Sequence, residues 1–167
     1  AKTRNKWSGL SAKQAFYLEV ECLERLREIS KSGGDHPFPI VARSDAYSLE
    51  IEMTDCGLTL TDLTKRDERI TVVEWEQQIE NIVNLLDSAG VAHLDIHPNG
   101  QNLCVNERGK LSLIDFDIAL LCGSEALSFQ IDDRYNKAVN KAGSYTEFAR
   151  QSLRQAVLSN RKVLELS

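Results

Sequence analysis

His93-Leu94-Asp95-Ile96-His97-Pro98-Asn99-Gly100-Gln101-Asn102-Leu103-Cys104-Val105 is followed, thirteen residues after Asn102, by Asp115-Phe116-Asp117. The apolar triplet Leu103–Val105, the polar stretch Glu107–Lys110 and the run Leu111–Ile114 predict a β-hairpin that leads directly into Asp115. A strand, a turn and a second strand return Asn102 and Asp115 to the same end of a sheet. Both residues carry hard oxygen donors, the type preferred by a divalent cation such as Mg²⁺. Asp95 and two histidines, His93 and His97, stand just upstream on the same polar loop.

Working outward, Phe16, Val20, Leu23, Leu26 and Ile29 recur at intervals of three and four after Ser11, so residues 10–29 read as an amphipathic helix with Ser11 as a candidate N-cap. Ser30–Asp35, with Gly33-Gly34, is turn material. Two strand-like runs follow around Ile40–Arg43 and Tyr47–Met53; in the second, Leu49, Ile51 and Met53 alternate with Glu50 and Glu52. Cys56-Gly57 breaks the pattern, and Leu58–Leu63 suits a short helix or turn. Trp75, Ile79, Ile82, Val83 and Leu86 predict a helix that stops at Gly90. The stretch Glu125–Ser167 reads as mostly helical, with Phe148, Leu153, Ala156, Val157 and Leu164 as core contacts.

The chain has 167 residues, enough for one well-buried core, and carries 20 basic against 25 acidic side chains for a formal charge of −5. That balance, without a basic run, argues against a general nucleic-acid or anionic-membrane binder. Cys22, Cys56, Cys104 and Cys122 stand far apart with no Cys-x-x-Cys pair, which points to a reduced, cytoplasmic setting rather than a zinc site or disulfide framework. The longest uncharged apolar stretch, Ile118–Gly123, falls far short of the roughly 20 residues a membrane helix needs, and Ala1–Asn5 lacks a signal peptide's apolar region.

The segment from His93 to Asp117 resembles the catalytic loop and metal-binding motif of the protein-kinase-like superfamily, whose signature is His-Arg-Asp, then Asn, then Asp-Phe-Gly. The resemblance implies an α+β kinase-like fold with a truncated N-terminal lobe, made of a small antiparallel sheet and one helix, and a short, mainly helical C-terminal lobe. A single domain would span 1–167, with the reduced lobe at 1–53, a hinge at 54–57 and the second lobe at 58–167. It implies ATP and Mg²⁺ (or Mn²⁺) as cofactors. Asp95 would orient the substrate hydroxyl or accept its proton, Asn102 and Asp115 would hold the metal, His93 would support the loop from behind, and His97 would belong to the catalytic set. Single aspartates that merely cap loops, and a single buried histidine, are common; their joint occurrence in register is not.

Weaker similarities extend backward to about residue 12. Glu19, with leucines four and seven positions later, resembles the glutamate of the kinase regulatory helix, with Glu21 as its rival. Its lysine partner by resemblance is Lys2, with Lys6 and Lys13 as alternatives. Residues 76–89 correspond to the long helix before the catalytic loop. Glu52, Met53 and Thr54 fall where the hinge strand offers backbone hydrogen bonds to adenine.

Three departures bear on function. The residues before Lys2 do not supply the glycine-rich strand pair that the resemblance implies, so the expectation is an open lid, a cover supplied by another segment or by a protein partner completing the N-terminal lobe, or lost activity. Asp95 and Asn102 are seven residues apart where the family pattern has five, with the extra residues around Asn99-Gly100-Gln101; Asn99 is an alternative ligand, but the Leu-Cys-Val strand follows Asn102 in register. His97-Pro98, and Asp117 in place of the last glycine, resemble the aminoglycoside and choline phosphotransferases, while the short tail is similar to that of compact atypical kinases of the RIO kind. Asp132-Asp133 reads as a helix cap rather than a lower-lobe aspartate. The expectation is a phosphotransferase acting on a hydroxyl, most simply an atypical protein (Ser/Thr) kinase; a small-molecule kinase and a pseudokinase scaffold are the alternatives.

Overall fold

The computed structural model describes residues 10–30, 36–121 and 133–167. Lys2, Lys6 and Asp132 lie outside the described residues. The architecture is α+β, with five helices and several small sheets among them.

Helix α1 (Ala12–Ser30) starts at a reciprocal cap: the Ser11 hydroxyl accepts the Gln14 N–H at 3.2 Å, and the Gln14 side chain accepts the Ser11 N–H at 2.9 Å. Its buried stripe is Phe16, Leu18, Cys22, Leu23 and Leu26, whereas Val20 and Ile29 are only half-buried. Strands β1 (Val41–Asp45) and β2 (Glu50–Met53) form an antiparallel hairpin. The expected strand over Tyr47–Met53 is thus shorter by three residues. The Asp45 carboxylate accepts the Tyr47 N–H at 2.9 Å and Leu49 takes a left-handed φ of 59°, which close the turn before the alternation of Glu50–Met53 begins.

Leu58–Leu63 divides into β3 (Leu58–Thr59) and the start of α2 (Leu60–Arg66). The division is set by a capping box in which Thr59 and Asp62 satisfy each other's backbone N–H groups. Strand β4 (Ile70–Val72) precedes α3 (Trp75–Ala89), which ends where the Gly90 N–H returns to the carbonyls of Leu86 and Asp87. Beyond it lie β5 (Val91–Ala92), β6 (Leu103–Val105), β7 (Leu111–Leu113) and β8 (Leu120–Leu121). Strands β6 and β7 form the expected hairpin, with Leu103 opposite Leu113, and β3 adds to its outer edge.

The tail carries α4 (Asp133–Ala142) and α5 (Tyr145–Ser159), and then departs from the helical expectation in β9 (Leu164–Leu166), which pairs in parallel with β4. Leu164 is buried as expected, but in a strand: Leu164 faces inward, Glu165 outward and Leu166 partly inward again, the alternation of a strand. Helices α3 and α5 are clamped by Arg150, whose guanidinium meets both oxygens of Glu80 at 2.8 and 3.1 Å and also pairs with Glu147.

One main core cluster draws on α1, α2, α3, β6, β7 and α5, and includes Phe38 and Phe116. Phe148 belongs instead to a small satellite with Ala92, Leu94 and Val139. Fully burying each of the main core's aliphatic side chains contributes about 1.5–3 kcal/mol. Among the described residues no helix is long and apolar enough to cross a membrane.

Candidate metal and phosphate site

The loop from His93 to Asn102 leaves the end of β5 and must turn back toward β6. Leu94 makes the turn in a left-handed conformation, φ 64°, with its side chain buried. Asp115, at the exit of β7, is left-handed too, φ 66°. Such geometry costs a non-glycine residue of the order of 1–3 kcal/mol and persists where the surroundings over-determine it. Two of these residues thus flank the same spot.

His93 is buried and fully bonded. Its Nδ1 accepts the Asp95 N–H at 3.2 Å, so the ring proton sits on Nε2 and is donated to the Ile114 carbonyl at 2.7 Å. Burial pushes its pKa down, which keeps the ring neutral. The ring also meets the edge of Phe116, 4.7 Å between centroids. His93 therefore ties the catalytic-loop candidate to the strand leading into Asp115, as a support from behind.

Asp95 points its carboxylate forward. His97 Nε2 donates to Oδ1 at 2.7 Å, and Asn102 Nδ2 donates to Oδ2 at 2.9 Å and to the Asp95 carbonyl at 2.8 Å. The loop is thereby closed on itself, and Gly100 turns the chain between Asn99 and Gln101. There φ is +71°, and a Cβ would come within 2.5 Å of Leu60, so only glycine fits. Asn99 is spent on Gln101, at 3.1 and 3.3 Å, and is exposed. Of the two asparagines, Asn102 is the one brought to Asp95.

Asp95, Asp115 and Asp117 offer carboxylate oxygens that all lie within 4.8 Å of one another. Burial, the Asp115 charge and a hydrogen bond to Asp115 push the Asp117 carboxyl up to about 7. Asp117, read from sequence only as a replaced glycine, is therefore a site residue; the Asp-x-Asp spacing was the available signal. Glu19 reaches the same place from α1, its Oε1 accepting the Phe116 N–H at 3.4 Å, and burial followed by Asp115 raises its pKa. Glu21 faces elsewhere and pairs with Arg25 at 2.8 Å. Lys13 sits over the Tyr17 ring at 5.9 Å.

Glu52 is exposed on β2 and Met53 packs against the main core. The Thr54 N–H is donated to the Ile40 carbonyl at 3.0 Å, and its hydroxyl accepts the Ile40 N–H at 2.9 Å, so this N–H is spent inside the hairpin. A separate groove of about 630 Å³, lined by residues such as Asp55, Arg66, Glu68 and Arg108, has none of the three aspartates on its walls. No protein-family model matches the chain and no curated protein is significantly similar to it.

Proposed function

We propose that the chain is an ATP- and Mg²⁺-dependent phosphotransferase of the protein-kinase-like superfamily, moving the γ-phosphate of ATP to a hydroxyl. The observation that carries this reading is the convergence of Asp95, Asp115 and Asp117 within 4.8 Å, with Asn102 bonded to the first of them. Three carboxylates this close repel one another, and Asp117, raised first by its burial and then by the Asp115 charge, holds its proton to about 7. A hard divalent cation is the counter-charge such a donor set fits. Asp115 and Asn102 would hold it, with Asp117 beside them; when bound, it neutralises charge on the phosphates.

The rest of the work falls to the loop. Asp95 has both oxygens oriented, one by His97 and one by Asn102, yet each oxygen retains a lone pair for a substrate hydroxyl. As that hydroxyl oxygen bonds to phosphorus, its proton passes to Asp95, and the bond to the departing ADP oxygen breaks with its electron pair. His93, neutral and buried, fixes the distance between the Asp95 loop and the Asp115 strand.

An atypical protein kinase is the favoured form of this reading, with a protein side-chain hydroxyl as acceptor. Three free thiols, Cys22, Cys56 and Cys104, support a reducing, cytoplasmic setting. The test is transfer of labelled γ-phosphate, to the chain itself or to a supplied protein, in the parent and two variants. Asp95→Ala is expected to keep nucleotide binding and lose transfer, and Asp115→Ala to lose metal-dependent binding. Exchange of the two phenotypes, or full activity in either variant, would overturn the assignment.

A further inference from the structure

Among the described residues only three polar side chains are buried: His93, Asn102 and Asn160. The first two bind the Asp95 loop from within. The third comes from the far end of the sequence, sixty-two positions from its loop partner Pro98. Asn160 closes α5, its own N–H donating to the Val157 carbonyl at 3.1 Å. Its carbonyl accepts the N–H groups of Val163 and Leu164, both at 3.0 Å, which launches β9. Its side-chain amide then spends one hydrogen on the Ala156 carbonyl at 2.7 Å and the other on the Pro98 carbonyl at 2.9 Å.

We propose that Asn160 is a positioning residue for the loop that carries Asp95 and His97, acting through the Pro98 carbonyl. The helix end needs only the Ala156 bond, as a backbone-capping side chain would make. The bond to Pro98 adds nothing to α5 and lands on the residue directly after His97. Pro98 has no N–H and its carbonyl faces the protein, so Asn160 fixes it from one side. From the other side the Thr61 hydroxyl donates to the adjacent Asn99 carbonyl at 2.9 Å. The inserted stretch of the loop is therefore pinned between the start of α2 and the end of α5, and the ring that holds Asp95 Oδ1 stands at its edge. The catalytic half of this inference rests on the proposed phosphotransferase reading; the anchoring half does not.

Asn160→Ser separates the two bonds. A serine at a helix end bonds back to the carbonyl four residues earlier, so the tie to Ala156 survives, while its short hydroxyl does not reach Pro98. Asn160→Ala, which loses both, is the comparison variant. Hydrogen exchange is followed at the Gly100 and Leu103 amides, which bond to His97 and Gly100 within the loop, and at Val83 and Leu86 in α3 as references. In Asn160→Ser the loop amides are expected to lose protection about fivefold or more while the α3 amides move less than about twofold. The rate of phosphate transfer is expected to fall about tenfold with the dissociation constant for Mn²⁺-ATP nearly unchanged, because misplacement of a catalytic group costs rate rather than binding. Unchanged exchange, or an equal change in loop and helix, overturns the anchoring. A loosened loop with unchanged transfer overturns the catalytic role. A parent chain that transfers no phosphate sinks the phosphotransferase reading, while the exchange comparison still decides whether Asn160 anchors the loop.

Discussion

The β1–β2 hairpin and the β6–β7 hairpin are both short antiparallel pairs, yet they are built to different standards. In β1–β2 no residue is buried, Tyr47 at the turn is fully exposed, and the register slips between Val41 and Arg43. In β6–β7, Leu103, Val105, Leu111 and Leu113 are sealed in the main core, and the turn is fixed by the Asn106 side chain, which accepts the N–H groups of Arg108 and Lys110 at 2.9 and 3.0 Å. Gln78 from α3 braces the same hairpin, donating to the Gly109 carbonyl and accepting the Leu111 N–H. The second hairpin delivers Asn102 and Asp115, whose placement sets the acidic cluster. The better-buried and better-braced hairpin is thus the one that adjoins the acidic cluster.

The largest effect that sharpens this contrast is on chemistry. Asp95→Ala should lower phosphate transfer by about 10²–10⁴-fold, the usual contribution of a general base, measured at saturating nucleotide. Next comes stability. Leu113→Ala, at a fully buried position of β7, should cost about 2–5 kcal/mol in urea unfolding, whereas Ile51→Ala on the half-buried face of β2 should cost less than about 1.5 kcal/mol. Similar costs at the two sites would break the comparison. Ser11→Ala, which removes the cap of α1, should cost about 1 kcal/mol and leave metal binding intact.

The pH dependence is the most specific effect. The Asp117 carboxyl is raised from 3.8 to about 7, so in that interval the folded chain binds a proton that the unfolded chain has released. Stability contributed by this group is therefore present below about pH 4 and is lost as pH rises through about 7. Without divalent cation, Asp117→Asn should flatten the decline between pH 5 and 8 and be the more stable variant at pH 8. A parallel pH profile in parent and variant, from melting temperatures, would contradict the clustering of charges.

The hairpin, α3 and the proximity of Asp95, Asn102 and Asp115 are legible because each rests on short-range pattern: alternation, helical spacing and turn chemistry. What stayed hidden depends on distant partners. Strand β4 pairs Ile70 with Leu164, and β5 pairs Val91 with Leu121, in runs of two or three residues that no local periodicity can announce. Asn160 carries no local signal in the tail; its side chain bonds to a carbonyl sixty-two positions away. Asp117 was visible but read as a missing glycine, because its role appears only once Asp95 and Asp115 stand beside it. Glu19 and Glu21 share one helix and one charge, and only the packing of α1 decides which of them faces Phe116.

The most direct test of the acidic cluster as a metal and nucleotide site is the melting temperature of the chain with ATP and Mn²⁺, each alone and together, in the parent and in Asp115→Ala. A ligand at 100 times its dissociation constant stabilises by about 2.7 kcal/mol. A metal and nucleotide site at the cluster predicts a clear rise with nucleotide and metal together, absent in Asp115→Ala and kept in a companion Asp95→Ala variant. No rise in the parent at millimolar nucleotide, or an equal rise in Asp115→Ala, would contradict it.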